Sequence, residues 1–347
     1  MIFLILEKIF FKIIIIFKYF QSRKYKFAKI KLAFLKIYHS IKDFKSAKKT
    51  ILTLGTFDGV HVGHQKIIQR LIQNASDYNC ESLILTFFPH PRMVLQEGSD
   101  IKLLNTINEK TVLLEKMGLD NLIIHPFDKD FSRLTAEEFV KTILVNALNI
   151  QKIIIGYDHR FGRNRSSNID DLILYGKQYN FEVEQISVQE IDAVSISSTK
   201  IRNAILDGNM VLANDYLGYN YVLNGTVIKG KQLGRTLGFP TANLKIEEDY
   251  KLIPKNGVYI VNSTFNQKTV FGVMNIGTNP TVNGEELSIE VHFINFDADL
   301  YNSKIEISVL ERIRNEQKFE SIELLKLQIQ KDKETAISFV GKNTKTL

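Results

Sequence analysis

The chain has 347 residues, of which 44% are hydrophobic, with one cysteine and a formal charge of +7. That length holds two domains of ordinary size or one large one, and the composition excludes a disordered chain, a collagen-like repeat and a disulfide-stapled scaffold. The lone Cys80 can make no intrachain disulfide and fits a reducing compartment, so the expected location is cytoplasmic.

The positive charge is confined to one end. Residues 1–34 carry eight Lys/Arg against the single acid Glu7, so the whole excess lies there and residues 35–347 are charge-balanced. A nucleic-acid partner would rest on this segment alone, and none is expected. A membrane-spanning helix needs about 20 mostly apolar residues, and Lys8, Lys12 and Lys18 interrupt every apolar run. A secretory signal starts basic and ends at a small-residue cleavage site; this segment starts apolar and offers no such site. Two readings remain: an interfacial amphipathic helix, or a segment outside the working protein.

From Lys48 the pattern alternates. Residues 51–54 read as a buried strand, 55–59 as a loop, and 63–74 as a helix with Ile67, Ile68, Leu71 and Ile72 on its apolar face. A strand at 82–87 ends in Pro89-His90-Pro91. A helix near 108–117 precedes a strand at 121–125, and a helix near 136–147 precedes a strand at 152–156. This order predicts a parallel sheet with helices on both faces, and ligands at the carboxyl ends of its strands. Residues 203–219 read as a helical connection. From Tyr221 short β-rich runs follow at 222–229, 257–265, 269–276, 287–295 and 304–310, and then a helix at 319–339. That texture predicts a small β-barrel with a carboxyl-terminal helix, close against the first domain.

Several stretches carry chemistry. Gly55 to His64 follows a strand and opens a helix, where glycines permit close backbone approach and a helix amino terminus suits phosphate. His61 and His64 can point the same way and hydrogen-bond phosphate oxygens; a metal pair lacks a suitably spaced third ligand. Ser197, Ser198, Thr199 and Arg202 open a second helix, with Ser197 or Ser198 as N-cap. From the residues alone this is either a phosphate grip or an ordinary capped helix. Residues 87–91 and 156–162 follow strands and carry Pro89, His90, Asp158 and Arg160. The run from Gly230 to Leu244 is glycine-rich and bears two cations, so it can arch over phosphates. Thr241 and Asn243 offer neutral oxygens of the kind that suit Mg²⁺ alongside phosphates and water. At residues 287–295 the period of two puts Ile289, Val291 and Phe293 on one face and Ser288, Glu290 and His292 on the other.

The His61-Val62-Gly63-His64 element resembles the nucleotidyltransferase signature, and Ile196-Ser197-Ser198-Thr199-Lys200-Ile201-Arg202 resembles its second signature in the flavin-nucleotide branch. With residues 87–91 and 156–162 they resemble the amino-terminal module of the prokaryotic bifunctional riboflavin kinase/FAD synthetase family. The string from Gly234 to Leu244 (GRTLGFPTANL) resembles the riboflavin kinase signature, with Glu290 in the family's E-x-H context. The resemblance covers about residues 35–340. It implies an α/β chain: a Rossmann-like nucleotidyltransferase domain over 35–202, a helical linker over 203–220, and a Greek-key-like β-barrel flavokinase domain over 221–347.

The implied reactions are phosphorylation of riboflavin to FMN by ATP, and adenylyl transfer from ATP to FMN giving FAD and pyrophosphate. The resemblance assigns nucleotide contacts to Gly55, Phe57, Asp58, Gly63, Ser197, Ser198, Thr199 and Arg202 in the first domain, and to Gly234, Gly238, Thr241 and Asn243 in the second. It assigns phosphate chemistry to His61 and His64, Mg²⁺ to Thr241 and Asn243, and deprotonation of the flavin 5′-hydroxyl to Glu290. Pro89, His90, Asp158, Arg160 and Arg314 are the expected flavin contacts. Tyr219 replaces an arginine usual in the family and is expected to lie away from the chemistry. Leu35-Lys36-Ile37-Tyr38 matches the family's usual start, so Leu35 is the expected first residue of the working protein. The expected partners are small-molecule substrates, with no membrane, in a monomer or weak homo-oligomer. A different nucleotidyltransferase would leave Phe239 to Asn243 and Glu290 unexplained, and a non-catalytic flavin-binding regulator would have no use for Glu290 or the histidines.

Overall fold

Runs such as Thr50-Ile51-Leu52-Thr53-Leu54 are apolar at successive positions, and a strand of that kind must be covered on both faces. The computed structural model meets this demand with a six-stranded sheet. It describes residues 34–156, 160–187, 196–230, 233–281 and 284–343, and the expectations for residues 1–33 and Asp158 lie outside them. The strands are β1 (Lys36–Tyr38), β2 (Thr50–Leu54), β3 (Glu81–Phe87), β4 (Asn121–His125), β5 (Ile150–Gly156) and β6 (Glu182–Ile186). Their order is β1-β4-β3-β2-β5-β6, and all neighbours run parallel. Alternate residues feed two separate cores. Leu52, Leu83, Leu85 and Ile153 face one, and Ile51, Ile84, Leu122 and Ile154 the other. Helix α1 (Val62–Asp77) closes the second with Ile68 and Leu71.

From β2 the chain winds outward one way through β3 and β4, then returns to the other side for β5 and β6. The β2–β5 junction is therefore the topological switch point, where parallel sheets open a crevice at the strands' carboxyl ends. The loop after β2 starts there. Helix α2 (Ile107–Lys116) opens with a capping box from Thr106 and Glu109. Helix α3 (Ile169–Tyr179), capped by Asn168 and Asp171, and edge strand β6, which carries Glu182, Glu184 and Gln185, are two elements beyond those expected.

The connection expected as one helix is two, α4 (Ser198–Asp207) and α5 (Met210–Leu217), with Gly208 left-handed between them. Ser197 is the N-cap of α4. Then come β7 (Tyr221–Ile228), β8 (Ala242–Lys245), β9 (Gly257–Phe265), β10 (Lys268–Thr281), β11 (Gly284–Phe293) and β12 (Lys304–Arg314). They close a barrel in the order β10-β11-β8-β7-β12-β9. Hairpins link β9, β10 and β11, and β8 lies beside β11, which is a Greek-key arrangement. Helix α6 (Ile322–Asn343) follows.

Leu35–Leu347 form one compact unit. The barrel interior, including Tyr221, Tyr259, Met274 and Val291, is continuous with Leu104, Ile201 and Ile205 of the preceding elements. Lys251 of the barrel domain pairs with Glu109 of α2 at 2.6 Å, with both side chains buried.

Candidate active sites

The loop from Gly55 to His61 connects β2 to α1 and needs unusual backbone. Phe57, Gly59 and Val60 all have positive φ, and a side chain on Gly59 would come within 2.7 Å of Leu104. Gly55 ties the loop to β3 by donating to the Leu85 carbonyl. Phe57 is buried, and so is Gly63 in the first turn of α1. His61 is the N-cap: its Nδ1 accepts from the His64 backbone N–H at 3.4 Å. A neutral His61 therefore carries its proton on Nε2. The His61 and His64 rings stack at 3.7 Å, and Phe57 packs its edge against His64 at 5.1 Å. Burial lowers His61 to about 4. Burial, then the nearby His61 and Lys110, hold His64 well below its usual value. Both rings are neutral at physiological pH. His64 Nδ1 is shielded from solvent and has no partner among the described residues.

The cation of this site is Lys110, which sequence reasoning passed over. It lies on α2 beneath the loop, 4% exposed, and donates to the Thr56 carbonyl at 2.7 Å. Burial lowers its amine to about 8, opposed by Asp58. A signal existed: with Ile107 and Leu114 it makes an i, i+3, i+7 stripe, the spacing of a buried helix face.

Asp58 and Arg202 are brought together at 2.5 Å. Asp58 also accepts from the Leu104 N–H. Arg202 further donates to the carbonyls of Lys102 and Ser198, and the Ser198 hydroxyl donates to the Asp58 carbonyl at 2.9 Å. These groups spend their polar capacity on one another and brace the amino end of α4 against the loop. Ser197 accepts from the Lys200 N–H, and Thr199 is exposed.

Pro89 and His90 follow β3, next to the β2 loop. His90 caps a short helix by accepting from the Arg92 N–H at 3.2 Å, and burial lowers it to about 4. Arg160, beyond β5, is exposed. Arg314 stands apart from these on β12. It holds Asp332 of α6 through both its Nε and its Nη2, at 2.7 Å for the shorter Nη2 contact, which pins the carboxyl-terminal helix to the barrel. Tyr219 follows α5 and lies against the β2 loop: its hydroxyl donates to the Gly59 carbonyl at 2.6 Å.

In the barrel, Ile289, Val291 and Phe293 are buried and Ser288, Glu290 and His292 half-buried, as period two requires. Glu290 accepts from the Thr241 hydroxyl and the Ser288 hydroxyl, each at 3.1 Å. It pairs across the strands with Asn243 on β8 and Asn275 on β10. Thr241, Asn243 and Glu290 thus converge. Gly230 lies on the Asn243 amide: a side chain there would come within 2.4 Å of it. Beyond Gly234 a short turn folds back so that the Phe239 N–H donates to the Gly234 carbonyl, and Gly238 has a positive φ. His292 contacts the Pro240 carbonyl at 2.9 Å. A cavity of about 360 Å³ lies beside Thr241, lined by Arg235, Phe293, Asp297, Asp299 and Tyr301. Among the described residues no group of three or more His, Cys, Asp or Glu side chains is placed to hold a metal ion.

Comparison with known proteins matches both halves. A family model described as FAD synthetase matches residues 43–200, and one described as riboflavin kinase matches residues 217–340. A bifunctional riboflavin kinase/FMN adenylyltransferase of Listeria monocytogenes is 39% identical over 294 residues, 84% of this chain and 93% of its own. The Escherichia coli K12 protein of the same description is 37% identical over 292 residues, again 84% and 93%. A solved structure from Streptococcus pneumoniae, described as a macrolide-efflux protein, superposes with a TM-score of 0.79 at 30% identity, over 87% of this chain and 98% of that one. Among the described residues here, no helix is long and apolar enough to cross a membrane. Two constellations on one two-part fold, each matched along its length, lead to one statement: the chain belongs to the bifunctional riboflavin kinase/FMN adenylyltransferase family.

Proposed function

We infer that the barrel phosphorylates riboflavin to FMN with ATP, and that the sheet domain transfers AMP from a second ATP to FMN, giving FAD and pyrophosphate. The observation that supports this most is the convergence of Thr241, Asn243 and Glu290 in a chain whose other half opens a helix with stacked His61 and His64.

In the kinase reaction Glu290 takes the proton of the flavin 5′-hydroxyl as that oxygen attacks the γ-phosphorus and ADP departs. The hydroxyls of Thr241 and Ser288 hold the carboxylate in place. Gly234 and Gly238 bend the covering loop over the phosphates. Thr241 and Asn243 supply hard neutral oxygens that fit Mg²⁺, and Gly230 leaves room for the loop to lie directly on Asn243. Mg²⁺, when bound, offsets phosphate charge during transfer.

In the adenylyl reaction a phosphate oxygen of FMN attacks the α-phosphorus of ATP and pyrophosphate departs. That nucleophile is already anionic, so no base is required and the protein's task is positioning and charge stabilisation. Neutral imidazoles serve this purpose, with His61 donating from Nε2. The amino ends of α1 and α4 offer N–H groups to the phosphates through residues near Gly63, Ser197, Ser198 and Thr199. Gly55 and Phe57 shape the loop, Asp58 and Arg202 brace it, and Lys110 adds positive potential from beneath. Pro89, His90, Asp158 and Arg160 form the flavin side, and Arg314 positions α6 on the barrel.

The functional units run over 35–202 and 221–347, joined by 203–220, in a cytoplasmic monomer or weak homo-oligomer. Incubation with riboflavin, ATP and Mg²⁺, followed by chromatography, is expected to show FMN first and then FAD with equimolar pyrophosphate. FMN without FAD would overturn the adenylyl half, and no FMN would overturn the kinase half.

A further inference from the structure

We propose that Tyr250, carried by the barrel domain, forms part of the flavin-holding wall of the adenylyltransferase site and stacks against the isalloxazine ring beside Phe88. The proposal rests on the reading of Pro89 and His90 as flavin-side residues and extends it to a residue from the other half of the chain.

The segment between β8 and β9 leaves the barrel and runs along the sheet domain. Leu103 donates to the Tyr250 carbonyl at 2.6 Å, and Leu252 donates to the Leu103 carbonyl at 2.9 Å, so the backbone around Tyr250 is held on both sides. Next to it, Lys251 is anchored in the interior by the Leu104 carbonyl at 2.7 Å and by Glu109. The Tyr250 ring lies 5.0 Å from that of Phe88, tilted by 55°.

Phe88 immediately precedes Pro89 and His90 at the carboxyl end of β3, beside the β2 loop. Both Phe88 and Tyr250 are half-buried, and Phe88 also packs against the core that α1 closes. The neighbouring aromatics Phe87, Phe127 and Phe131 are occupied in packing against one another. Phe88 and Tyr250 thus form an aromatic pair that keeps part of its surface free, with the Tyr250 backbone held in place, at the strand end where the proposed function seats the flavin ring. Flat ring systems bind on such aromatic faces. Lys110, at the Thr56 carbonyl, and Arg202, at Asp58, hold the neighbouring β2 loop, which the proposed function reads as the phosphate end.

The test uses the full-length chain with Tyr250→Ala, Tyr250→Leu and Tyr250→Phe. KM values for FMN and ATP in adenylylation, FMN affinity by flavin fluorescence titration, and riboflavin phosphorylation are measured together. Tyr250→Ala and Tyr250→Leu are expected to weaken FMN binding about tenfold, as loss of one stacking face does. KM for ATP, kcat and riboflavin kinase activity stay near wild type, and Tyr250→Phe restores FMN affinity. Unchanged FMN affinity in Ala and Leu variants overturns the proposal. So does a matching rise in both KM values, which would mark a merely structural role. His90→Ala, run in parallel, separates the two readings. If it leaves FMN affinity intact, the flavin-side assignment itself fails. If it weakens FMN while Tyr250 variants do not, only Tyr250 is excluded.

Discussion

The Arg202 guanidinium meets the Asp58 carboxylate at 2.5 Å, joining the loop after β2 to the amino end of α4 across 144 residues of chain. The pair is largely enclosed, at 14% and 4% side-chain exposure. It fixes the amino end of α4 relative to the histidine loop, so the two helix termini present one cradle instead of two independent ones.

Breaking such a pair on one side strands the other charge. Arg202→Met is expected to lower stability by about 3–5 kcal/mol and to depress adenylylation more than riboflavin phosphorylation. Adding Asp58→Asn should recover part of that loss. Denaturant unfolding of the single and double variants gives the coupling directly; strict additivity would mean that the two groups do not depend on each other.

Glu290→Gln keeps the shape of the side chain and removes the base. Conversion of riboflavin to FMN should fall about a hundredfold or more, while FMN-to-FAD conversion remains. An equal loss of both activities would contradict the assignment of Glu290 to the barrel site alone.

The buried histidines set a pH dependence. An unfolded histidine takes its proton near 6.5, whereas native His61 resists protonation down to about 4. Between those values the unfolded chain binds more protons, so stability rises with pH there, by up to about 1.4 kcal/mol per pH unit for one such group. His61→Asn, which retains an N-cap acceptor, should flatten the rise. Urea unfolding at several pH values in this window checks it, and identical slopes for wild type and variant would show His61 to be solvated.

Lys110 gives the adenylyl reaction an alkaline limb. Its amine, lowered to about 8 by burial, loses its charge as pH passes that value, and adenylylation should decline with it while riboflavin phosphorylation does not. Lys110→Arg should carry the limb to higher pH. Lys110→Met should cost about tenfold at neutral pH, as removal of one fixed positive charge does. Parallel pH–rate profiles of both reactions settle the point.

Both domains, nearly every central strand and both constellations were legible in the sequence, since their signals are local. A buried parallel strand shows as an apolar run, a half-buried one as alternation. That alternation placed Glu290 on its face correctly. Helix α3 and strand β6 were not legible, because an edge strand with Glu182, Glu184 and Gln185 lacks the apolar run of a central one. Lys110 was missed for a related reason: it matters through what lies across from it.

The sequence by itself determined the kinds of chemistry present: a glycine-bearing helix amino terminus with two histidines, a second capped helix, and a hydroxyl–amide pair with a carboxylate three strands further along the chain. Only the tertiary structure decided who meets whom. It spent Asp58 on Arg202 and Arg314 on Asp332, set Thr241 against Glu290, buried Lys110 under Thr56, and brought Tyr250 of the barrel domain to Phe88 of the sheet. Residue type, helix capping and strand alternation are encoded over a few neighbouring positions. Partnership depends on which strands lie side by side, and on how one domain packs against the next. Long-range burial sets both, and no local pattern records it.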